Sequence, residues 1–180
     1  RAYLLAFRMK PKSTECVIVM GLGSYREGSG VAAAGYFARA GARVLVTDLK
    51  TKKELASQIA KLKKYKNITY RFGGHRERDF KHADLVFQNP SVPDTSPYLA
   101  IARERKIPII NDWTLFFQKF PENIVIGVTG TRGKSTTTAL LYRLIKSAHR
   151  DTLLCGNIGS SPLVYFDRIK PDTVIVAELS

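Results

Sequence analysis

The chain has 180 residues, of which 44% are hydrophobic and 24% are charged, and its formal net charge is +14. This length suits one large domain or two small ones, and the composition is that of a globular protein with a hydrophobic core. No apolar run approaches the roughly 18 residues that a membrane-spanning helix needs, so no membrane segment is predicted. Residues 1–12 lack the cleavage pattern of a signal peptide. Because the first residue is Arg rather than Met, we expect the chain to be clipped there.

The two cysteines and the basic charge bear on whether the chain is a disulfide-rich, metal-binding or nucleic-acid-binding protein. Cys16 and Cys155 lie far apart in apolar contexts, a spacing that fits neither a disulfide framework nor a metal site. We therefore expect buried free thiols in a reducing compartment, the cytoplasm. The densest basic run, residues 50–66, has Leu55, Ile59 and Leu62 at helical spacing. This pattern favours an amphipathic helix with a solvated lysine face over a nucleic-acid-binding patch.

The first part of the chain alternates β-rich runs with amphipathic stretches, which is typical of a parallel sheet with crossover helices. Strands are predicted at residues 16–20, 43–47, 68–72, 85–88 and 107–110. Helices are predicted at residues 31–40, 52–64 and 96–105, and Asp112 is expected to cap a short helix that carries Trp113 and Phe116.

A polar break at residues 119–123, which contains Pro121, is the best candidate for a domain boundary. We therefore expect one domain at 1–121 and a second at 122–180. Further strands are predicted at 124–128, 152–154 and 173–177, with helices at 135–147 and 162–169. The second domain is short for a doubly wound fold, so we expect it to be incomplete.

The strongest local motif is the segment 127–136, GVTGTRGKST, between an apolar strand and a helix. Glycines let a backbone wrap a phosphate, and the helix N-terminus adds partial positive charge. Lys134 would reach the terminal phosphates and the Ser135 hydroxyl would bind Mg²⁺. Val128 occupies the first glycine position of the long Walker pattern, so the match is to the shortened form that begins at Gly130. The alternative is a simple turn that caps a helix.

An acidic residue at the end of a neighbouring strand would complete a Mg²⁺ site. Glu178 follows the strand predicted at 173–177 and meets this requirement. These features predict an α/β fold, with a Rossmann-like parallel-sheet N-terminal domain followed by an incomplete P-loop α/β domain.

A second glycine turn, MGLGS at residues 20–24, follows the first strand. The dinucleotide fingerprint G-x-G-x-x-G fails at Arg26, and Gly28 and Gly30 follow as if the turn were lengthened. Asp48 ends the second strand, where such folds place an acid that binds a ribose. The turn predicts a nucleotide-like ligand, and a tight strand-to-helix turn without a ligand is the alternative.

In this order the two domains resemble the first two domains of the Mur ligase family. Residues 130–136 are similar to the family's G-T-N-G-K-[ST]-T, with Arg132 in place of the usual Asn. The segment 156–159, GNIG, resembles the one that meets the muramoyl substrate, and 177–180, AELS, resembles the start of the E-L-S-S motif whose Glu takes part in Mg²⁺ binding.

Three further stretches are most similar to the D-glutamate-adding branch of the family, in which they bind the uridine diphosphate. They are residues 19–23, residues 47–48, and residues 89–93, NPSVP, for which the branch usually has S-P-G-[IV]-P. Asn89 and Ser91 depart from this pattern, as does the lengthened turn at 24–30.

The resemblance implies the following site residues. Lys134 is the catalytic residue, and Ser135 and Glu178 hold the metal. The ATP-binding residues are Gly130, Thr131, Arg132, Gly133, Lys134, Ser135 and Thr136. The residues that bind the UDP-muramoyl substrate are Gly23, Ser24, Asp48, Leu49, Lys50, Asn89, Pro90, Ser91, Asn157 and Ser180.

The implied reaction is the ATP-dependent addition of D-glutamate to UDP-N-acetylmuramoyl-L-alanine through an acyl phosphate, with ATP and Mg²⁺ as cofactors. The resemblance implies a full-length protein that is a cytoplasmic monomer, with no nucleic-acid or membrane partner. The family's modified lysine and C-terminal domain lie beyond Ser180, so we expect this chain to be inactive alone. The alternatives are a Mur-type ligase that adds L-alanine, a ligase of folate or cyanophycin precursors, a nicotinamide oxidoreductase domain, and a basic nucleic-acid-binding module.

Overall fold

The computed structural model describes residues 15–23, 28–148, 151–158 and 160–179. The chain divides into two compact units, Arg1–Leu115 and Phe116–Ser180. The division falls within a helix, and the polar break at 119–123 lies at and just after the end of that helix. The described part of the chain contains no helix that is long and apolar enough to cross a membrane.

The first unit contains a five-stranded sheet in the order β3-β2-β1-β4-β5. The strands are β1 (Cys16–Met20), β2 (Arg43–Asp48), β3 (Ile68–Phe72), β4 (Leu85–Gln88) and β5 (Ile109–Ile110). All neighbouring strands are parallel. The first, third and fourth of these strands have the bounds predicted from their apolar runs.

Helices connect the strands of the first unit. They are α1 (Ser29–Arg39), α2 (Ala56–Leu62), α3 (Glu77–Lys81), α4 (Pro97–Glu104) and α5 (Asp112–Lys119), the last of which continues into the second unit. The α2 helix is shorter than predicted, because Thr51 and Glu54 form a hydrogen-bonded turn ahead of it. Its apolar stripe is buried and the lysines before and after it are exposed, as the spacing predicts.

The core of the first unit surrounds the central strand β1. Val17, Ile18 and Val19 are fully buried although their side chains alternate between the two faces, so both faces of the sheet are covered. Burying each such side chain contributes about 1.5–3 kcal/mol. On one side the core cluster joins β1 and β4 to α3 and α4 through Ile18, Met20, Phe80, Ala83, Val86, Leu99 and Ala102.

The second unit contains a three-stranded parallel sheet in the order β6-β8-β7. Its elements are β6 (Val125–Val128), α6 (Lys134–Ser147), β7 (Thr152–Gly156), a 3-10 helix (Pro162–Tyr165) and β8 (Val174–Glu178). The helix predicted at 162–169 is wrong beyond Tyr165. There the N–H groups of Arg168 and Ile169 both donate to the Tyr165 carbonyl oxygen in a turn, at 2.7 and 3.2 Å.

An aromatic cluster packs beside this sheet. The Phe120 ring centroid lies 5.5 Å from that of Phe116 and 5.1 Å from that of Phe166. The Lys119 ammonium lies 4.9 Å from the Phe166 ring centroid, within the range of a cation–π contact. These contacts all lie within the second unit, to which the end of α5 belongs.

Candidate functional site

A glycine turn follows β1 at the switch point of the five-stranded sheet. In the order β3-β2-β1-β4-β5, the chain continues from β1 towards one edge of the sheet and from β4 towards the other edge. Ligands of open α/β sheets bind in the crevice between two such strands. Gly21 and Gly23 have φ values of 85° and 80°, which residues with a Cβ rarely adopt. The Gly21 N–H donates to the Thr47 carbonyl oxygen at 2.8 Å. The backbone of the turn is therefore held against the end of β2.

Gly30 in the first turn of α1 packs directly on this loop. A Cβ at Gly30 would lie 2.2 Å from the Gly21 carbonyl oxygen and 2.7 Å from the Leu22 Cα, so only glycine fits. This close contact between helix and strand is the role of the third glycine in the dinucleotide fingerprint. The fingerprint fails at Arg26 because a longer turn moves that role to Gly30.

The Asp48 carboxylate organises the two loops that follow β1 and β2. Its Oδ2 accepts from the Leu22 N–H at 2.7 Å, and its Oδ1 accepts from the Lys50 N–H at 2.9 Å. The residue is only 8% exposed. Each oxygen retains a second lone pair, so ligand binding and a structural role are compatible. Leu49 and Lys50 are exposed beside it at the rim.

Asn89 follows β4 and closes the other side of the crevice. Its Oδ1 accepts from the backbone N–H and the hydroxyl of Ser91, at 3.0 and 2.8 Å. Its Nδ2 lies 3.2 Å from where a Cβ of Gly23 would be, so the amide faces the glycine turn. Pro90 and Ser91 are exposed. The first unit thus brings together three segments that the sequence assigns to one ligand: the glycine turn, Asp48 and the loop at 89–91.

The phosphate-loop motif connects β6 to α6 in the second unit. Gly130 and Gly133 have φ values of 145° and 73°, and Gly133 is the N-cap of α6. Thr131, Arg132, Ser135 and Thr136 are exposed together with both glycines, and Lys134 is half-buried. The Lys134 ammonium donates to the Gly130 carbonyl oxygen at 2.8 Å, so this side chain lies across its own loop. The strand–loop–helix arrangement predicted for phosphate binding is therefore present.

Glu178 ends β8, the middle strand of the second sheet. It pairs in register with Val128 at the start of the phosphate loop and with Gly156 at the end of β7. The residue is 6% exposed, and its Oε2 is buried with no hydrogen-bond partner among the described residues. A buried carboxylate oxygen without a partner is costly. A cation bound there would offset this cost, so the residue fits the predicted Mg²⁺ site.

The segment that begins with Gly156 adjoins Glu178 closely. A Cβ at Gly156 would lie 2.2 Å from the Glu178 carbonyl oxygen, and φ at Gly156 is 88°. Asn157 is exposed, and its N–H donates to that same carbonyl oxygen at 3.1 Å. The phosphate loop, Glu178 and Asn157 thus share the carboxyl edge of one sheet.

The donor set at this edge has few protein ligands. In the parts of the chain that the structure covers, no three His, Cys, Asp or Glu side chains cluster as a metal site. Ser135 and Glu178 alone match a Mg²⁺ ion that keeps several waters and is completed by nucleotide phosphates.

A protein-family comparison shows which family the chain belongs to. The model of the Mur ligase MurD-like N-terminal domain matches residues 15–111. The chain belongs to the Mur ligase family. The matched range contains Gly23, Asp48 and Asn89, which form the crevice of the first unit.

Three curated relatives of this Mur ligase chain share the name UDP-N-acetylmuramoylalanine--D-glutamate ligase. The protein of Borreliella burgdorferi (strain ZS7) is 40% identical over 164 residues, which are 91% of this chain and 35% of the relative. That of Roseiflexus sp. (strain RS-1) is 41% identical over 163 residues, 91% of this chain and 34% of the relative. That of Treponema pallidum (strain Nichols) is 36% identical over 165 residues, which are 91% of this chain and 30% of the relative. The chain thus spans about a third of the length of these relatives.

A solved structure supports the fold. The UDP-N-acetylmuramate:L-alanyl-gamma-D-glutamyl-meso-diaminopimelate ligase from Neisseria meningitides superposes with a TM-score of 0.55 at 19% identity, covering 92% of this chain and 52% of that chain. With the parallel sheets described above, this likeness confirms the predicted α/β fold class.

Two predicted substrate residues, Ser24 and Ser180, lie outside the described residues, as do Arg26 in the turn and Gly159 of the GNIG segment. The roles of the other predicted site residues stay predictions.

Sequence reasoning missed His75, which lies next to Asp48. Its Nδ1 is 2.8 Å from the Thr47 Oγ1. Burial lowers the pKa of the imidazole below its ordinary value, and the nearby Asp48 charge opposes this shift. The sequence does contain a signal: Gly73 and Gly74 precede His75 directly after β3, at the same sheet edge as Asp48.

Proposed function

We propose that this chain is part of an ATP-dependent ligase that adds D-glutamate to UDP-N-acetylmuramoyl-L-alanine in peptidoglycan synthesis. The observation that supports this most strongly is the edge of the β6-β8-β7 sheet. There the loop at 130–136 follows β6, and β8 ends at Glu178, whose buried Oε2 has no hydrogen-bond partner among the described residues. The proposal is also supported by the relatives, which are named for this reaction.

In the proposed reaction, a carboxylate oxygen of the muramoyl substrate attacks the γ-phosphorus of ATP, and the bond to the ADP oxygen breaks. The amine of D-glutamate then attacks the resulting acyl carbon, loses a proton and displaces inorganic phosphate. The residues of this chain contribute positioning and charge neutralisation, which account for most of catalysis in phosphoryl transfer.

The second unit is proposed to bind ATP. The loop at 130–136 surrounds the phosphates with backbone N–H groups, and Lys134 exchanges its bond to the Gly130 oxygen for the terminal phosphates. Ser135 and Glu178 would hold Mg²⁺, which neutralises charge on the phosphate oxygens when bound. Among Lys134, Ser135 and Glu178, Glu178 supplies the negative charge that would hold the metal. Lys134 supplies a positive charge of its own to the phosphates.

The first unit is proposed to bind the uridine diphosphate part of the muramoyl substrate. The glycine turn would approach the diphosphate, since Gly21 and Gly23 carry no side chain, and Asp48 would bind the ribose with its remaining lone pairs. Asn89 has a side-chain amide that faces the same turn. The ligand is proposed to be uridine-based rather than nicotinamide-based, because the relatives are named for a UDP-linked substrate.

The environment of the protein is proposed to be the cytoplasm. Cys16 is a half-buried free thiol, and burial raises the pKa of that thiol. Free thiols persist in a reducing compartment. A monomeric full-length enzyme is part of the same proposal.

The experiment is a phosphate-release assay of the full-length protein that contains this chain. We expect release only when ATP, UDP-N-acetylmuramoyl-L-alanine and D-glutamate are all present. Matched reactions replace D-glutamate with L-glutamate, or supply UDP-N-acetylmuramate with L-alanine. Equal or greater release in the L-alanine reaction would instead support the L-alanine-adding alternative. The 180-residue chain itself is expected to show no turnover, because it spans only about a third of the relatives' length.

A further inference from the structure

His75 is held in a loop that is hydrogen-bonded to the loop after β2. Gly73 and Gly74, with φ values of 77° and 149°, turn the chain back after β3. The Gly73 N–H donates to the Lys50 carbonyl oxygen at 3.0 Å, and the Gly74 N–H donates to the Asp48 carbonyl oxygen at 3.2 Å. The loops that follow two neighbouring strands therefore form one surface, and His75 stands in it beside Asp48.

The imidazole ring of His75 is fixed in orientation. Its Nδ1 lies 2.8 Å from the hydroxyl oxygen of Thr47, which is fully buried. The ring meets Phe80 and Tyr98 edge-on, with centroid distances of 6.1 and 5.0 Å. Such aromatic contacts favour one ring plane. These contacts fix the direction in which the other ring nitrogen points.

That other nitrogen, Nε2, has no hydrogen-bond partner within the described segments, and it is not among the buried unpartnered atoms. The Thr47 hydroxyl has one proton to donate. Its oxygen is 2.8 Å from Nδ1 but 3.4 Å from the Gly74 carbonyl oxygen, which is long for an O–H donor. We therefore assign the Thr47 proton to the bond with Nδ1. In the neutral ring, Nε2 then carries the hydrogen and is a donor.

The order of the strands indicates which part of a bound nucleotide this donor would face. In β3-β2-β1 the glycine turn after β1 faces the diphosphate and the acid after β2 faces the ribose. The loop after β3 lies one strand farther from the diphosphate, where the base of a nucleotide would be. Uracil presents carbonyl oxygens, which accept from an N–H donor.

We propose that His75 is a specificity residue of the first unit, donating from Nε2–H to a carbonyl oxygen of the uracil base. This inference rests on the proposed binding of a uridine diphosphate group by that unit. It adds a contact that none of the predicted site residues supplies.

The test uses two substitutions that separate the two nitrogens. In His75→Asn the side-chain amide can replace Nδ1 but cannot reach the position of Nε2, whereas in His75→Gln the amide nitrogen reaches that position. His82→Asn is the matched control, because His82 is exposed and its Nδ1 lies 2.8 Å from the Arg78 carbonyl oxygen. Binding of UDP and of inorganic diphosphate to the 180-residue chain is measured by calorimetry.

We expect His75→Asn to weaken UDP binding about fivefold to tenfold, the effect of one neutral hydrogen bond, and to leave diphosphate binding within about twofold. His75→Gln should recover most of the lost affinity, and His82→Asn should bind like the parent. Unchanged UDP binding by His75→Asn would overturn the inference alone. Equal losses for both probes would also overturn it, because they indicate a general distortion of the site.

A measurement on the parent chain keeps the inference testable if the variants do not fold. The ¹⁵N resonance of the His75 Nε2 should move on addition of UDP, while that of His82 should not. A His75 resonance that is unaffected by saturating UDP contradicts the contact. Failure of the parent to bind UDP at all would instead refute the proposed function of the first unit, and this inference with it.

Discussion

The Asp48 carboxylate accepts a hydrogen bond from the Leu22 backbone N–H at 2.7 Å and so joins the turn after β1 to the end of β2. Its second oxygen accepts from the Lys50 N–H at 2.9 Å. Asp48 therefore stabilises both loops, whether or not a ligand is bound. A sequence pattern that places an acid at this position indicates a ribose contact, and the structure shows that the same carboxylate also shapes the crevice.

The first prediction follows from these two bonds. Asp48→Ala should lower the free energy of unfolding by about 2 kcal/mol or more, because it leaves two backbone N–H groups without their charged acceptor. Asp48→Asn keeps one acceptor oxygen and should lose less stability than Asp48→Ala. Urea unfolding of the 180-residue chain without ligand measures the effect. Asp94→Ala, at a highly exposed carboxylate, is the control and should stay within about 0.5 kcal/mol of the parent. An Asp48→Ala variant as stable as the parent would contradict the role of Asp48 in stabilising the two loops.

The second prediction concerns two glycines on α1. Gly30→Ala should destabilise the first unit by more than about 3 kcal/mol, because its Cβ would overlap the Gly21 carbonyl oxygen at 2.2 Å, a backbone atom that cannot move away alone. Gly35→Ala on the same helix meets only ordinary contacts at 3.6 Å or more. It should be neutral or stabilising by about 0.5–1 kcal/mol. Thermal unfolding compares the two variants, and similar melting temperatures would show that the close packing at Gly30 is not required.

The third prediction tests the phosphate loop in the full-length protein. Lys134→Ala should lower the ligase rate at least about a hundredfold, because it removes the cation proposed for the γ-phosphate. Stability should hardly change, since among the described residues the Lys134 ammonium has one hydrogen bond, to the exposed Gly130 carbonyl oxygen. Lys146→Ala, in the last turn of the same helix, controls for loss of charge and should keep the parent rate. A Lys134→Ala rate within about threefold of the parent would refute the assignment.

The fourth prediction uses the buried Glu178 oxygen. Glu178→Gln replaces a buried carboxylate, whose Oε2 has no partner among the described residues, by a neutral amide. Without Mg²⁺ the variant should be as stable as the parent or more stable, because the desolvation cost of a charge is relieved. Its ligase rate in the full-length protein should fall at least about tenfold. A titration with Mg²⁺, followed by rate and by melting temperature, measures both effects. Loss of stability together with an unchanged rate would mean that Glu178 is purely structural.

The strands of the first unit could be predicted closely because each is a short apolar run between turn residues. Val17, Ile18 and Val19 in β1 form such a run, and β8 has the same character. The α3 helix could not be predicted. Of its five residues, Glu77 to Lys81, only Phe80 is apolar, so it has no periodicity, and its formation depends on packing of that one ring into the core.

Site residues that lie in one continuous motif could be predicted from the sequence. Those that only the order of the strands brings together could not. The glycines and Lys134 of the phosphate loop form one continuous motif. His75 has no motif, since it joins Asp48 only because β3 lies beside β2 and because Gly73 and Gly74 turn the chain. The packing role of Gly30 likewise emerges only when the turn and the helix are seen together.

The last prediction concerns the pH dependence of stability. Burial lowers the pKa of His75 from its ordinary value of 6.5, and the Asp48 charge only partly offsets this. As the pH falls below about 6.5, the unfolded chain therefore binds a proton at His75 before the folded chain does. Stability increases with pH wherever the unfolded state binds more protons. The contribution of His75 is thus fully present above the unfolded pKa and is lost as the pH falls toward the folded pKa.

His75→Gln should remove this contribution, because glutamine does not titrate. Between pH 7.5 and pH 5.5 we expect the parent chain to lose more stability than the variant, by at most about 1.4 kcal/mol per pH unit, the limit for one proton. Urea unfolding at both pH values measures the difference. His82→Gln, at the exposed residue that follows α3, should keep the parent's pH dependence. If the parent and His75→Gln lose the same stability over this interval, the buried, neutral state assigned to His75 is wrong.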